Sequence, residues 1–141
     1  MATLQNTTIT TTSGTDTTSV QLKVHAGGGG VSFDKAGFFS GTSLTSGATV
    51  SWDVAANQVA GLTLGHNATM GAATNQVNGG VYILRVTQAS APKTLSWNSN
   101  YKWPGNTAPV MTATASAIDV FTFVSDGTYM YGSFSGSQNF T

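Results

Sequence analysis

Few side chains in this sequence of 141 residues could take part in catalysis or bind a metal. The acids are five aspartates, there is neither Glu nor Cys, and the two histidines are His25 and His66. Two His and one Asp are enough for a zinc site, but these histidines lack the local spacing of metal ligands. Two aspartates are enough for a glycosidase pair, but nothing in their spacing supports one. We therefore predict a protein that is not an enzyme, with no catalytic residue, no metal site and no cofactor.

A second candidate site would bind a ligand without transforming it. Tyr101, Trp103 and Tyr129 carry flat rings, which suit sugar faces and protein partners, so they are candidate interface or ligand-contact residues. Rings can equally fill a core or a subunit interface, and for Tyr101 and Trp103 both interpretations stay open. Trp97 ends a predicted strand, where a core position is favoured. The turn at Pro104-Gly105 follows directly, so we expect this loop to be rigid.

The composition limits the partners that this chain can have. Charged residues make up 7% of the chain, against about 25% in an average protein. The formal net charge is zero and the five bases are scattered, which argues against nucleic acid. No apolar run approaches the ~20 residues that span a bilayer, so no membrane segment is predicted. A charge-poor surface favours self-association, as expected of a subunit in an assembly.

Thr, Ser and Gly dominate the chain, and no helical periodicity interrupts them. Thr favours strands because its branched Cβ fits a pleated surface, and Gly supplies turns. About eight short strands, spaced by roughly 8–15 residues, alternate with turn signals. This pattern predicts an all-β protein, with a single antiparallel β-sandwich or jelly-roll-like domain over residues 20–141.

The strand predictions differ in strength along the chain. The strongest is "VYILRVTQ" at 81–88, where alternate residues face opposite sides. Residues 48–54 alternate in the same way, and residues 118–136 form a hairpin around an Asp-Gly turn. Residues 31–39 predict another hairpin, bent at Asp-Lys. Residues 66–80 are predicted to be a polar connection.

The first 19 residues form a separate Thr-rich segment. Leu4 and Ile9 are its large apolar anchors, so it cannot bury much surface of its own. We expect an extended N-terminal arm over residues 1–19. It is either a disordered tail or a docking arm that pairs with a neighbouring chain through Leu4 and Ile9.

Four stretches of the C-terminal half form a recognisable pattern. They are "VYILRVTQ", "TLSW", "YKWPG" and "DVFTFVSDGT" within residues 79–132, and residues 47–70 precede them. This pattern resembles a C-terminal β-module of tailed-bacteriophage virion proteins, of the head decoration and tail fibre type. The chain has Gly105-Asn106 where the module often has Gly-Gly, and because Asn also tolerates positive φ, the turn is expected to form.

The resemblance implies a non-enzymatic subunit on the exterior of a phage virion, with no catalytic residues. One placement is a capsid decoration or cement protein that binds the major capsid protein and stabilises the shell. The other is a tail fibre or spike tip that binds a host-surface receptor or glycan. The short segment before the folded domain favours decoration, because a tail fibre normally needs an attachment domain and a shaft. Phage knobs and decoration proteins are often three-fold, so a homotrimer is expected.

Overall fold

The structure is a computed structural model, and it describes residues 22–25, 30–33, 38–39, 41–133 and 139–140. The predicted N-terminal arm, with Leu4 and Ile9, lies outside the described residues. So does the predicted Asp-Lys bend of the hairpin over residues 31–39. None of the segments that are described forms a helix able to span a lipid bilayer.

The chain divides into two compact units, residues 1–38 and 39–141. In the first unit, strand β1 (Leu22–His25) pairs antiparallel with β2 (Gly30–Phe33). In this pairing Val24 lies opposite Val31 and His25 opposite Gly30.

The second unit contains nine strands among the described residues, arranged in two sheets. A six-stranded sheet has the order β3-β5-β7-β10-β11-β9, and a three-stranded sheet has the order β4-β6-β8. In chain order the strands are β3 (Thr42–Leu44), β4 (Thr49–Val50), β5 (Val59–Leu64), β6 (Ala68–Met70), β7 (Asn78–Gln88), β8 (Leu95–Trp97), β9 (Tyr101–Lys102), β10 (Ile118–Asp126) and β11 (Met130–Ser133).

From β3 to β8 the chain alternates between the two sheets, so that it winds as a coil. Each strand pairs in parallel with the one two steps later: β3 with β5, β5 with β7, β4 with β6, and β6 with β8. The all-β prediction is confirmed, but the prediction of antiparallel sheets is wrong, because five of the eight described strand pairings are parallel. Parallel pairing needs a crossover connection, and here the other sheet provides it.

The predicted strand over residues 48–54 is only partly a regular strand in the structure. Val50, Trp52 and Val54 are all buried, so the predicted alternation over residues 48–54 is confirmed. The strand itself ends at Val50, and the chain continues to an isolated parallel bridge between Asp53 and Thr74 before it turns at residues 54–56. The indole Nε1 of Trp52 donates a hydrogen bond to the carbonyl of Asn57 at 2.8 Å, and the Asp53 carboxylate accepts one from the amide of Ala55 at 3.1 Å.

Among the other local predictions, two are confirmed and one is wrong. Tyr82, Leu84 and Val86 are buried on one face of β7, as the alternation over residues 81–88 predicts. The hairpin of β10 and β11 is also present, with Gly127 at φ +92° in its turn. The prediction of a polar connection over residues 66–80 is wrong, because it contains β6.

Both sheets of the second unit contribute side chains to one hydrophobic core. The smaller sheet supplies Val50, Met70 and Leu95, and the larger sheet supplies residues such as Leu84 and Phe121. Alternate burial along β7 and β10 sends one face of each strand into this core and leaves the other face outside. The six-stranded sheet therefore has one covered face and one outer face.

A buried amide fixes two long connections against the end of β7. Gln88 is buried, and its Nε2 donates hydrogen bonds to the carbonyls of Lys93 (2.9 Å) and Thr112 (3.0 Å). Its Oε1 accepts from the amide of Lys93 at 2.9 Å. The side chain thus satisfies three backbone groups that would otherwise be buried without partners.

We predict that Gln88→Ala lowers the free energy of unfolding by about 2–4 kcal/mol, because it leaves buried backbone groups unsatisfied. Gln58→Ala is the matched control. That side chain also donates to a backbone carbonyl, of Val81, but at an exposed position, so its loss should cost less than about 1 kcal/mol. Urea unfolding of both variants measures the difference. Equal losses would show that Gln88 has no special role.

Candidate functional site

An aromatic groove lies where β9 runs beside β11. It has a volume of about 550 Å³ and is lined by Lys102, Trp103, Pro104, Tyr129, Tyr131 and Gly132. β9 pairs in parallel with β11, which places Lys102 beside Tyr131. A short 3₁₀ turn at Pro104–Asn106 follows and forms one rim. Six residues from two separate parts of the chain therefore form one concave surface.

The turn between β10 and β11 sets the position of the tyrosines. The carboxylate of Asp126 accepts hydrogen bonds from the amides of Thr128 (2.8 Å) and Tyr129 (2.7 Å). Gly127 adopts the positive φ that this turn needs. The side chain of Asn100 and that of Gln76 both donate to the carbonyl of Thr128, which holds the same turn from two sides.

A hydrogen bond couples this turn to the second tyrosine. The phenol of Tyr131 donates to Asp126 Oδ2 at 2.8 Å. The amide of Tyr129, then that of Thr128 and the Tyr131 phenol lower the pKa of the Asp126 carboxyl by donating to its charged form. The same hydrogen bond raises the pKa of the Tyr131 phenol. Tyr131 is therefore held as a neutral phenol against a carboxylate.

The ammonium group of Lys102 lies over the ring of Tyr129, 4.4 Å from its centroid. The attraction between a cation and the negative face of an aromatic ring favours this position. Tyr129 and Tyr131 meet edge to face, with centroids 6.4 Å apart and planes at 72°. Both rings are exposed, at 39% and 47%. One positive charge and two accessible rings therefore lie together.

The ring of Trp103 packs against the core and against a glycine of β11. Its centroid lies 4.8 Å from that of Trp97 and 5.5 Å from that of Phe123, both in edge-to-face contacts. A Cβ added to Gly132 would lie 2.3 Å from Trp103 Cζ3, so the indole occupies the space that a side chain would need. Trp103 thus connects the groove to the core.

The structure brings two of the three predicted contact residues to the groove. Trp103 and Tyr129 line it, whereas Tyr101 is 4% exposed and packs in the core, 5.2 Å from Trp97. Burial raises the pKa of the Tyr101 phenol. Sequence analysis missed Tyr131 and Lys102. Tyr129 and Tyr131 stand on either side of Met130 in "TYMYG", an alternation that puts both rings on the same side of an extended chain, and this signal could have identified the second ring.

The described His and Asp side chains are not gathered in one place. No group of three or more His, Asp, Glu or Cys side chains able to hold a metal occurs in the part of the chain that is described. The imidazole of His66 lies 3.3 Å from the hydroxyl of Ser46, at an exposed position. Asp119 is buried and accepts hydrogen bonds from both the amide and the hydroxyl of Thr112.

We predict that Gly132→Ala lowers the free energy of unfolding by about 1–3 kcal/mol, because the added methyl displaces the Trp103 ring. Gly61→Ala is the matched control in another strand. Its added Cβ would meet its nearest neighbour, Arg85 Nη2, at an ordinary 3.8 Å, so stability should change by less than about 1 kcal/mol. Chemical unfolding and tryptophan fluorescence measure both effects. Unchanged stability and fluorescence in the Gly132→Ala variant would mean that the Trp103 indole is not confined against Gly132.

The charge of Asp126 predicts an acid-sensitive hairpin. The folded-state pKa lies below the ordinary value of 3.8, so the carboxylate stabilises the fold fully above about pH 4. That contribution is lost as the pH falls through the folded-state pKa. We therefore expect the melting temperatures of the wild type and Asp126→Ala to differ most above pH 5 and to converge as the pH falls below the ordinary value of 3.8 and through the folded-state pKa. A difference that does not change with pH would contradict a role for the charge.

The groove thus combines three rings, one cation and a phenol bound to a carboxylate. Such a surface can bind a flat or partly apolar ligand that carries a negative or polar group. No protein-family model, curated protein or solved structure matches this chain.

Proposed function

We propose that this protein is a non-enzymatic structural protein of a bacteriophage virion. It decorates the outside of the capsid, binds the major capsid protein and stabilises the shell. The proposal starts from the sequence pattern of residues 79–132, which resembles a module of phage virion proteins. In the structure these residues run from β7 to β11 and form most of the six-stranded sheet.

The observation that carries the proposal is an apolar row across the outer face of this sheet. Val81, Val124 and Tyr131 are direct neighbours on β7, β10 and β11, because Val124 is in register with both of the others. Their exposed fractions are 46%, 50% and 47%. A continuous apolar row on a sheet face is a typical protein-docking feature, and it suits a subunit whose role is to bind a larger surface.

The carboxylates in the described part of the chain support a role without catalysis. Asp53 binds the amide of Ala55, Asp119 binds Thr112, and Asp126 binds the amides of its own turn. Each of them has a structural use, and they lie on different elements of the fold. An acid and a base that work together would need a shared site.

The proposal also includes a specific type of all-β fold. Two sheets that contribute to one core suggest a β-sandwich or jelly-roll-like domain. The parallel coil from β3 to β8 sets it apart from the usual antiparallel version. Virion subunits need compact bodies of this kind, which present broad sheet faces to their neighbours.

Assembly into a homotrimer completes the proposal. The chain has few charges and a formal net charge of zero, so little electrostatic repulsion opposes contact between copies. Residues 1–19 would act as a docking arm, with Leu4 and Ile9 as anchors and an added strand as the mode of binding. Neither nucleic acid nor membrane is a partner in this proposal.

A tail fibre or spike tip is the second candidate, and the aromatic groove favours it. A tip protein must recognise a host-surface receptor or glycan, and exposed Tyr129 and Tyr131 form a suitable surface. In this role the groove would be the functional centre, and the apolar row would serve contact between subunits.

Two measurements test the proposed decoration role. Antibody labelling of intact virions, viewed by electron microscopy, should place the protein on the head. Occupancy on capsids should fall at least about tenfold for Val124→Lys, because a charge would be buried at the contact. Val110→Lys is the matched control, since that valine is 81% exposed and lies outside the sheets.

Removal of residues 1–19 should also abolish capsid binding if the arm docks. Labelling on the tail alone would reject decoration in favour of the fibre-tip candidate. Full occupancy by Val124→Lys would reject the outer face as the docking surface. Full occupancy without residues 1–19 would reject the docking role of the arm and leave the rest of the proposal unchanged.

A further inference from the structure

The groove has the size and rigidity of a small-ligand site. Its volume of about 550 Å³ lies within the range of about 300–1,000 Å³ that is usual for such sites. Trp103 is held by core rings on one side and by Gly132 on the other. Asp126 fixes Tyr131 through a hydrogen bond and Tyr129 through its amide. A ligand would therefore meet side chains that are already in position, which lowers the entropic penalty of binding.

The rings of the groove select a particular kind of surface on the ligand. Tyr129 and Tyr131 are 39% and 47% exposed, and aromatic faces carry a negative quadrupole. The C–H groups on one face of a pyranose ring are weakly positive and apolar, so they complement these faces. The sugar hydroxyls at the ring edge stay available to water and to polar groups. These exposed aromatic rings therefore favour a sugar over a purely aliphatic ligand.

The charge of the groove narrows the choice further. Among the described residues that line it, Lys102 is the charged one, and its ammonium lies on Tyr129 itself. The ammonium covers that face of Tyr129, so a sugar packed beside it against the two rings would have its ring substituents close to this cation. Asp126 lies next to the groove because it binds the Tyr131 phenol. Its carboxylate already accepts hydrogen bonds from two amides and from that phenol. A negative group on the ligand would thus find the ammonium as its partner.

We infer that the groove binds an acidic sugar, a pyranose that carries a carboxylate, with its ring against the exposed surface that Tyr129 and Tyr131 form and its carboxylate at Lys102. This inference rests on the second candidate function, recognition of a host-surface glycan, and names the class of glycan. It assigns a binding role to Lys102 and Tyr131, which sequence analysis missed.

Titration of the full chain with two matched probes tests the inference. The probes are a uronic-acid trisaccharide and the same trisaccharide with its carboxyl groups reduced to alcohols. Calorimetry should detect binding of the acidic probe, at least about tenfold tighter than that of the neutral one. Lys102→Met should weaken binding of the acidic probe about five- to tenfold and leave binding of the neutral probe nearly unchanged.

Two further variants distinguish the local effect of the Lys102 charge from contact with the aromatic rings and from the net charge of the protein. Tyr129→Ala should weaken the binding of both probes about tenfold, because part of the aromatic contact surface is lost. Lys93→Met removes the same charge at a position outside the groove, so it should leave both affinities unchanged. Melting temperatures of all variants identify any loss of folding before the affinities are compared.

The outcomes distinguish the inference from the function on which it rests. Equal affinity for the two probes, or full affinity in Lys102→Met, would overturn the acidic class and leave glycan recognition in place. No binding of either probe would overturn the inference and count against the second candidate function too. Equal weakening by Lys93→Met and Lys102→Met would overturn the groove as the site, because it would indicate a general effect of charge.

Discussion

The ring packing between the two sheets is the interaction on which the rest of this structure depends. Trp97 of the smaller sheet packs 5.1 Å from Phe121 and 5.9 Å from Phe123 of β10, centroid to centroid. Tyr101 and Trp103 extend the same cluster towards β9. A chain with 7% charged residues gains little from ion pairs, so large buried rings provide much of what fixes one sheet against the other. The groove exists because this cluster continues to the surface through Trp103.

The coil from β3 to β8 follows from a constraint on backbone hydrogen bonds. Parallel strands cannot be joined by a tight hairpin, so each crossover must satisfy its own polar groups. Trp52 does this in one turn by donating to the carbonyl of Asn57, and Gln88 does it for two later connections. The strands of the other sheet thus take the place of the helices that usually connect parallel strands, and polar side chains at a few buried positions satisfy the backbone of the turns.

The sequence predicted local features well and the pairing of strands poorly, and both outcomes have physical reasons. The burial of Tyr82 and Leu84 depends on alternation, which is visible in the sequence, and the turn at Gly127 depends on an Asp-Gly dipeptide. The parallel partner of a strand depends on residues about twenty positions away, and no local pattern records it. β6 was missed because its buried residues are only Ala68 and Met70, beside polar neighbours. Two residues that line the groove, Trp103 and Tyr129, stood out in the sequence as rings, whereas Lys102 looked like one scattered base.

Tyr131 connects the two candidate functions, because it belongs to both surfaces. It ends the apolar row with Val81 and Val124, and it also lines the groove. A capsid protein bound along the row would cover Tyr131 and restrict access to the groove. A glycan in the groove would leave part of the row exposed, unless another copy of the chain covered it. The two roles therefore compete for one side chain, so a decoration protein would use the groove as part of its contact, and a fibre tip would use the row to hold its subunits together.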